Sequence, residues 1–104
     1  MVAQHTGRRK SKRVKIVWLK TTVRNRFHQL DYIAAENPLA AVRIDAQIER
    51  QADLLLVHSL MGREGRVAGT RELVISDSPF LLVYRIKGQK IEILRLLHGA
   101  QRWP

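Results

Sequence analysis

GRVAGTRELVISDSPFLLVYRIKGQKIEILRLLHGAQRWP, residues 65–104, decides the fold. It holds three apolar runs, 71–76, 80–86 and 91–97. Asp77-Ser78-Pro79 separates the first pair and Lys87-Gly88-Gln89-Lys90 the second. β-Branched and aromatic residues fill the runs, and turn formers fill the gaps between them. The pattern predicts a three-stranded antiparallel meander with arginines on its strands, followed by a polar, aromatic tail.

Alternation gives each strand two faces. On the middle run Phe80, Leu82, Tyr84 and Ile86 share one face, and Leu81, Val83 and Arg85 the other. Leu73 and Ile75 oppose Glu72 and Val74. On the last run Ile91, Ile93 and Leu97 oppose Glu92, Leu94, Leu96 and His98. An antiparallel sheet with one wet face alternates apolar and polar residues, but this one keeps Val74, Leu81, Val83, Leu94 and Leu96 on its second face. A partner segment is therefore expected to cover that face, the alternative being this chain's own loop or tail.

Upstream, VKIVWL (14–19) reads as a strand. Thr21 or Thr22 can cap a helix over 23–36, with Val23, Phe27, Leu30, Ile33 and Ala34 on one side. Asn37-Pro38 ends that helix and opens a second over 38–58, with an imperfect stripe of Leu39, Val42, Ala46, Ile48, Ala52, Leu55 and Leu56. A glycine-bearing loop fills 59–69. The order β-α-α-β-β-β makes an α+β domain, a helical hairpin packed on an antiparallel sheet.

The chain has 104 residues, no cysteine, a formal charge of +10 and a pI near 11.1. That length suits one domain with one core. Without cysteine there is no disulfide, thiolate metal site or thiol catalysis. No apolar run reaches the ~18 residues of a spanning helix, so no membrane partner is expected and a cytoplasmic location is. Residues 1–13 (MVAQHTGRRKSKR) read as a disordered basic arm, and 14–104 as the domain. A second reading makes Val14 the product of an alternative start codon. His5, His28 and His58 lack metal-ligand spacing, so neither metal nor cofactor is expected. Such a basic balance favours a polyanionic or acidic partner.

Five segments, taken in order, resemble the RelE/ParE superfamily of bacterial toxins from type II toxin–antitoxin modules. They are KIVWL (15–19), DYIAAENPLAA (31–41), GRVAGTRELVI (65–75), LVYRI (82–86) and ILRLLHGAQRWP (93–104). The resemblance implies a small toxin held in a hetero-oligomer by a cognate antitoxin, which has a DNA-binding part and a flexible tail that wraps the toxin. RelE-like members cut mRNA in the ribosomal A site with basic and polar side chains. ParE-like members poison DNA gyrase.

Metal-free RNA cleavage needs a base for the 2′-hydroxyl, cations for the phosphorane and an acid for the leaving oxygen. Where the RelE pattern has two strand lysines, this chain has Glu72 and Val74. Leu81 stands at the position of a RelE arginine, and Gln101 and Trp103 lie near its terminal arginine and tyrosine. Other ribonuclease relatives combine Glu with Arg and His, a set that Glu72, Arg71, Arg85 and His98 could imitate, and the catalytic candidates of a nuclease would be Arg71, Arg85, His98 and Arg102. The contact set for antitoxin or target would be Glu72, Val74, Leu81, Val83, Leu94, Leu96, Gln101 and Trp103. The resemblance therefore leans toward gyrase, with ribosome-dependent mRNA cleavage as the alternative.

Overall fold

The computed structural model describes residues 14–99 and Trp103. The arm at 1–13, and Gln101 and Arg102, lie outside the described residues. The elements are β1 (Lys15–Trp18), α1 (Lys20–Ala34), α2 (Pro38–Leu54), β2 (Arg63–Glu64), β3 (Arg71–Val74), β4 (Phe80–Lys87) and β5 (Lys90–His98). They build one sheet in the order β1-β5-β4-β3-β2.

The expected meander is present as β3–β4–β5. Two features extend it. Arg63 and Glu64 pair antiparallel with Glu72 and Arg71, so the glycine-bearing loop contains an edge strand. β1 lies parallel to β5, from Lys15↔Lys90 to Trp18↔Ile93. The helical hairpin carries the chain to the far side of the sheet, and the meander walks back until its last strand meets the first. The sheet is therefore antiparallel over β2–β5 and mixed at one edge.

The core is built from Ile44, Ile48, Ala52 and Leu55 of the α2 segment against Leu73, Ile75, Phe80, Leu82, Tyr84, Ile91, Ile93 and Leu96 of the sheet. Val14, Ile16, Trp18, Leu30 and Ile33 pack around it. Asn37 caps α2 as expected, its Oδ1 accepting the Ala40 N–H at 3.1 Å, with Pro38 at the first helical position. The helix ends at Leu54, short of residue 58, in a turn that leaves Leu55 fully buried.

Each expected stripe holds in its later part, with Leu30 and Ile33 packed on the core and Ile48, Ala52 and Leu55 buried, but not in its first turns. On α2 the buried line is Ala41, Ile44, Ile48 and Ala52, while Leu39 and Val42 face outward. On α1 Val23 and Phe27 are exposed, and the inward line runs through Thr22, Arg26, Gln29, Leu30 and Ile33. The first helical residue is Lys20, so Thr22 is not a cap.

The polar inward line of α1 has a cause in the sheet. β1 ends at Ile93, so the rest of β5 has no strand on that side. The Thr22 hydroxyl donates to Ile93 O at 3.1 Å and Leu94 O at 2.8 Å, and Gln29 Nε2 donates to Leu96 O at 2.7 Å. Buried carbonyls need partners, and here α1 supplies the donors that a sixth strand would have supplied. Arg26 ties the two helices together. Its guanidinium lies 4.6 Å from the centre of the Trp18 ring and binds Asp45 at 2.7 Å and Glu49 at 3.1 Å.

The face assignment of β5 holds only as far as Ile93. Tyr84 pairs with Ile93 but Val83 pairs with Arg95, which makes Leu94 the extra residue of a β-bulge. Beyond it the phase reverses. Leu96 enters the core on the helix side, and Arg95 and Leu97 join Val83 and Leu81 on the distal face, away from the helices. Strict alternation placed Leu96 and Leu97 the other way round, because it assumed an unbroken period of two.

Candidate functional site

The distal face carries Glu72, Val74, Leu81, Val83 and Arg85 of the residues singled out from the sequence, and the side chain most enclosed there by charge is Glu72. This side chain is 2% exposed although it lies on the face without helices. Its burial follows from the loop that precedes it. The Tyr84 hydroxyl donates to Ser59 O at 2.7 Å and accepts the Gly62 N–H at 2.9 Å. Arg71 Nη1 donates to Gly62 O at 2.7 Å. A Cβ on Gly62 would lie 2.8 Å from the Tyr84 ring and 2.9 Å from Glu72 O, so only glycine lets the loop come this close. Burial pushes the Tyr84 pKa up, partly opposed by the Gly62 N–H and the charge of Arg71.

Pinned in this way, the loop delivers two guanidiniums to one carboxylate. Glu72 Oε2 accepts the Arg66 backbone N–H at 3.0 Å and Arg66 Nε at 3.1 Å, and Oε1 accepts Arg63 Nη2 at 3.1 Å. Burial works to raise the Glu72 pKa. The Arg66 N–H and the guanidiniums of Arg66 and Arg63 together outweigh it and hold the group below the ordinary carboxylate value. Sequence reading missed Arg63 and Arg66, because they stood in a stretch read as loop. Their spacing in GREGR, three apart beside two glycines, was the available signal.

Next to this cluster is an open cleft. Val74, Leu81 and Pro79 give it apolar surface, Arg63 and Arg66 stand on one side, and Gly99 borders it. Val74 is 58% exposed and Leu81 is half-buried. The Gly99 N–H donates to Pro79 O at 2.7 Å, which ties the start of the tail to the β3–β4 turn. Deeper on the same face Val83 and Leu97 are buried by the chain itself. Trp103 lies 5.6 Å from the Arg95 guanidinium, and its indole N–H is buried without a hydrogen-bond partner. The tail thus shares in covering a face whose cover was expected from a partner, and Val74 and Leu81 are left outside that cover. Leu94 is the half-buried bulge residue, and Leu96 belongs to the helix-side core.

The structure does not bring Arg71, Arg85 and His98 together. Arg71 is on the helix side of β3, bound to the carbonyls of Leu60 and Gly62. Arg85 is on the distal face, with Nε donating to Glu92 Oε1 at 2.6 Å. That bond lowers the Glu92 pKa against the opposing effect of burial, and the charges of Arg85, Lys87 and Lys90 lower it further. His98 pairs with Phe80 at the opposite end of β4 and meets its ring edge-on at 5.9 Å, in a shallow cleft shared with His28 and Tyr32 of α1. Five residues of strand separate Arg85 from Phe80, roughly 17 Å. Among the described residues no group of three or more His, Cys, Asp or Glu is placed to hold a metal ion. No helix there is long and apolar enough to cross a membrane.

A strand, a helical hairpin and a returning meander over a distal apolar cleft define the class of small toxin seen in type II toxin–antitoxin modules. Residues 16–103 match the family described as ParE toxin of type II toxin-antitoxin system, parDE, and the chain belongs to that family. It is 38% identical over 92 residues to the protein named "Putative toxin Y4kP" of Sinorhizobium fredii, covering 88% of this chain and 95% of the relative. It is 30% identical over 87 residues to toxin RelE2 of Caulobacter vibrioides, covering 84% and 97%. A chain of the chromosomal ParDE system from P. aeruginosa superposes with a TM-score of 0.77 at 25% identity, over 85% of this chain and 98% of that one.

Proposed function

We propose that this toxin acts by binding and poisoning DNA gyrase and that a cognate antitoxin silences it. One observation carries the choice of target: Arg71, Arg85 and His98, the described members of the nuclease set, do not converge. Arg71 is committed to loop carbonyls, Arg85 to Glu92, and His98 stands at the far end on the other face. Glu72, Val74 and Leu81 give the distal face a buried carboxylate and apolar surface where a phosphorane would need cations. Such a surface suits protein contact. The antitoxin's tail would lie in the cleft, apolar side chains on Val74 and Leu81 and acidic ones toward Arg63 and Arg66. Gln101 and Trp103 complete the proposed contact set.

The test sets a supercoiling assay with stoichiometric toxin beside transcriptome-wide mapping of RNA ends after induction. Gyrase inhibition with trapped cleavage complexes is the expected result. Untouched supercoiling, together with cuts confined to translated frames, overturns this reading in favour of the ribosome-dependent endoribonuclease.

A further inference from the structure

A second feature of the distal face lies at the opposite end from the cleft. Lys15 pairs with Lys90 across β1 and β5, and Lys90 pairs with Lys87 across β5 and β4. The three residues stand in one row on neighbouring strands, and all three are exposed. Their side of the sheet is fixed by their neighbours. Val14, Ile16 and Trp18 pack on the core, as do Ile91, Ile93, Phe80, Leu82 and Tyr84, so Lys15, Lys90 and Lys87 point the other way. Lys87 and Lys90 are also close enough to act on the Glu92 carboxylate. The next row is Val17, Glu92 and Arg85, in which Arg85 and Glu92 bind each other.

Four cations against one acid leave an excess of three positive charges on one face of the sheet. Nothing in either row is aromatic, so bases could not stack there. Strand spacing sets the row at about 10 Å from end to end, the rise of about three phosphate-to-phosphate steps along one strand of a duplex. In the sequence Arg8, Arg9, Lys10, Lys12 and Arg13 precede Val14.

We infer that the Lys15–Lys90–Lys87 row is a docking surface for the phosphate backbone of duplex DNA, sequence-independent and separate from the Glu72 cleft. The geometry and charge call for a duplex polyanion, and the choice of DNA over RNA rests on the gyrase reading, whose target works on DNA. The toxin would hold its protein target with one end of the sheet and the DNA alongside with the other.

The test is fluorescence anisotropy of the full-length chain with a labelled 20-base-pair duplex over a salt series, without gyrase. Lys15, Lys87 and Lys90 are changed together to Gln. An equal-charge control changes Lys20, Arg24 and Arg43 on the helices. Circular dichroism checks that both variants fold. Three lost phosphate contacts lower the slope of log K against log salt by about 2.7 and weaken binding roughly 500-fold at 0.1 M salt. The control is expected to change the slope by less than about 1. Equal losses in both variants would reduce the effect to net charge and overturn the site, as would an unchanged slope. Row-dependent binding of duplex RNA or phosphatidylserine vesicles, but not of duplex DNA, would overturn the partner. Because gyrase is absent, the result stands apart from the supercoiling assay.

Discussion

Glu72→Gln keeps the size of the side chain and removes its charge. The amide oxygen can replace Oε2 and keep the Arg66 N–H and Nε bonds at 3.0 and 3.1 Å. The NH2 group then points at Arg63 Nη2, donor against donor, where a 3.1 Å charge-assisted bond had been. That bond and the 3.4 Å bond from Arg66 Nη2 are lost, and two are weakened to neutral ones. Because the Arg63 and Arg66 side chains are 65% and 51% exposed, water takes over part of the loss. The expected destabilisation at pH 7 is about 1–2 kcal/mol. In a domain of this size that lowers Tm by roughly 6–12 °C at the middle of the range. The sign of the pH effect follows from the direction of the pKa. The folded pKa of Glu72 lies below its ordinary 4.5, so its stabilisation is full above that value and is lost as pH falls through the folded one. The gap between wild type and variant therefore narrows below pH 4.5. Urea unfolding at a series of pH values measures it. Identical midpoints at pH 7, or a gap that never shrinks toward the acid limit, would refute the claim that the charge organises this loop.

Three further outcomes follow from the geometry. Thr22→Val removes the hydroxyl donor from Ile93 O and Leu94 O, leaving Ile93 O with the Leu19 N–H at 3.4 Å; the expected loss is about 1 kcal/mol in urea unfolding, with faster amide exchange confined to the second half of β5. Gly62→Ala forces a methyl group against the Tyr84 ring and the Glu72 carbonyl; it should cost about 1–3 kcal/mol, and a neutral result by thermal scan would mean the loop is free to shift. Val74→Glu combined with Leu81→Glu should leave Tm within a few degrees, since neither side chain is fully buried. It should weaken capture of an acidic antitoxin more than tenfold by surface plasmon resonance, and unchanged affinity would remove the cleft from the antitoxin's footprint.

The meander was legible in the sequence because its turns are chemically marked. Lys87-Gly88-Gln89-Lys90 closes with Gly88 at φ 62, a conformation that glycine adopts without strain. Asn37-Pro38 was equally plain. Helix phase was not legible in the first turns, since hydrophobicity alone turned α1 toward Val23 and Phe27. The sheet instead required the hydrogen-bond donors of Thr22 and Gln29 on the inward side. The bulge at Leu94 was hidden because LRLL offers apolar residues to either phase. The site was half legible. Glu72, Val74 and Leu81 were found by alternation, which long-range pairing does not alter on β3 and β4. Arg63 and Arg66 were not, because a two-residue edge strand leaves no periodicity to read. The apparent set of Arg71, Arg85 and His98 dissolved when register put them on different faces and ends.

The parallel pairing of β1 with β5 has a consequence in time. Lys15 and its partner Lys90 are 75 positions apart, so the first strand synthesised can be zipped only by the last. At about 5–20 residues per second, a ribosome needs roughly 4–15 s to make the chain between them. Until then β1 has no partner strand, and α1 cannot place Thr22 and Gln29 on carbonyls that do not yet exist. The toxin is thus a late-closing fold, and the interval before closure belongs to the nascent chain and to whatever can bind it there.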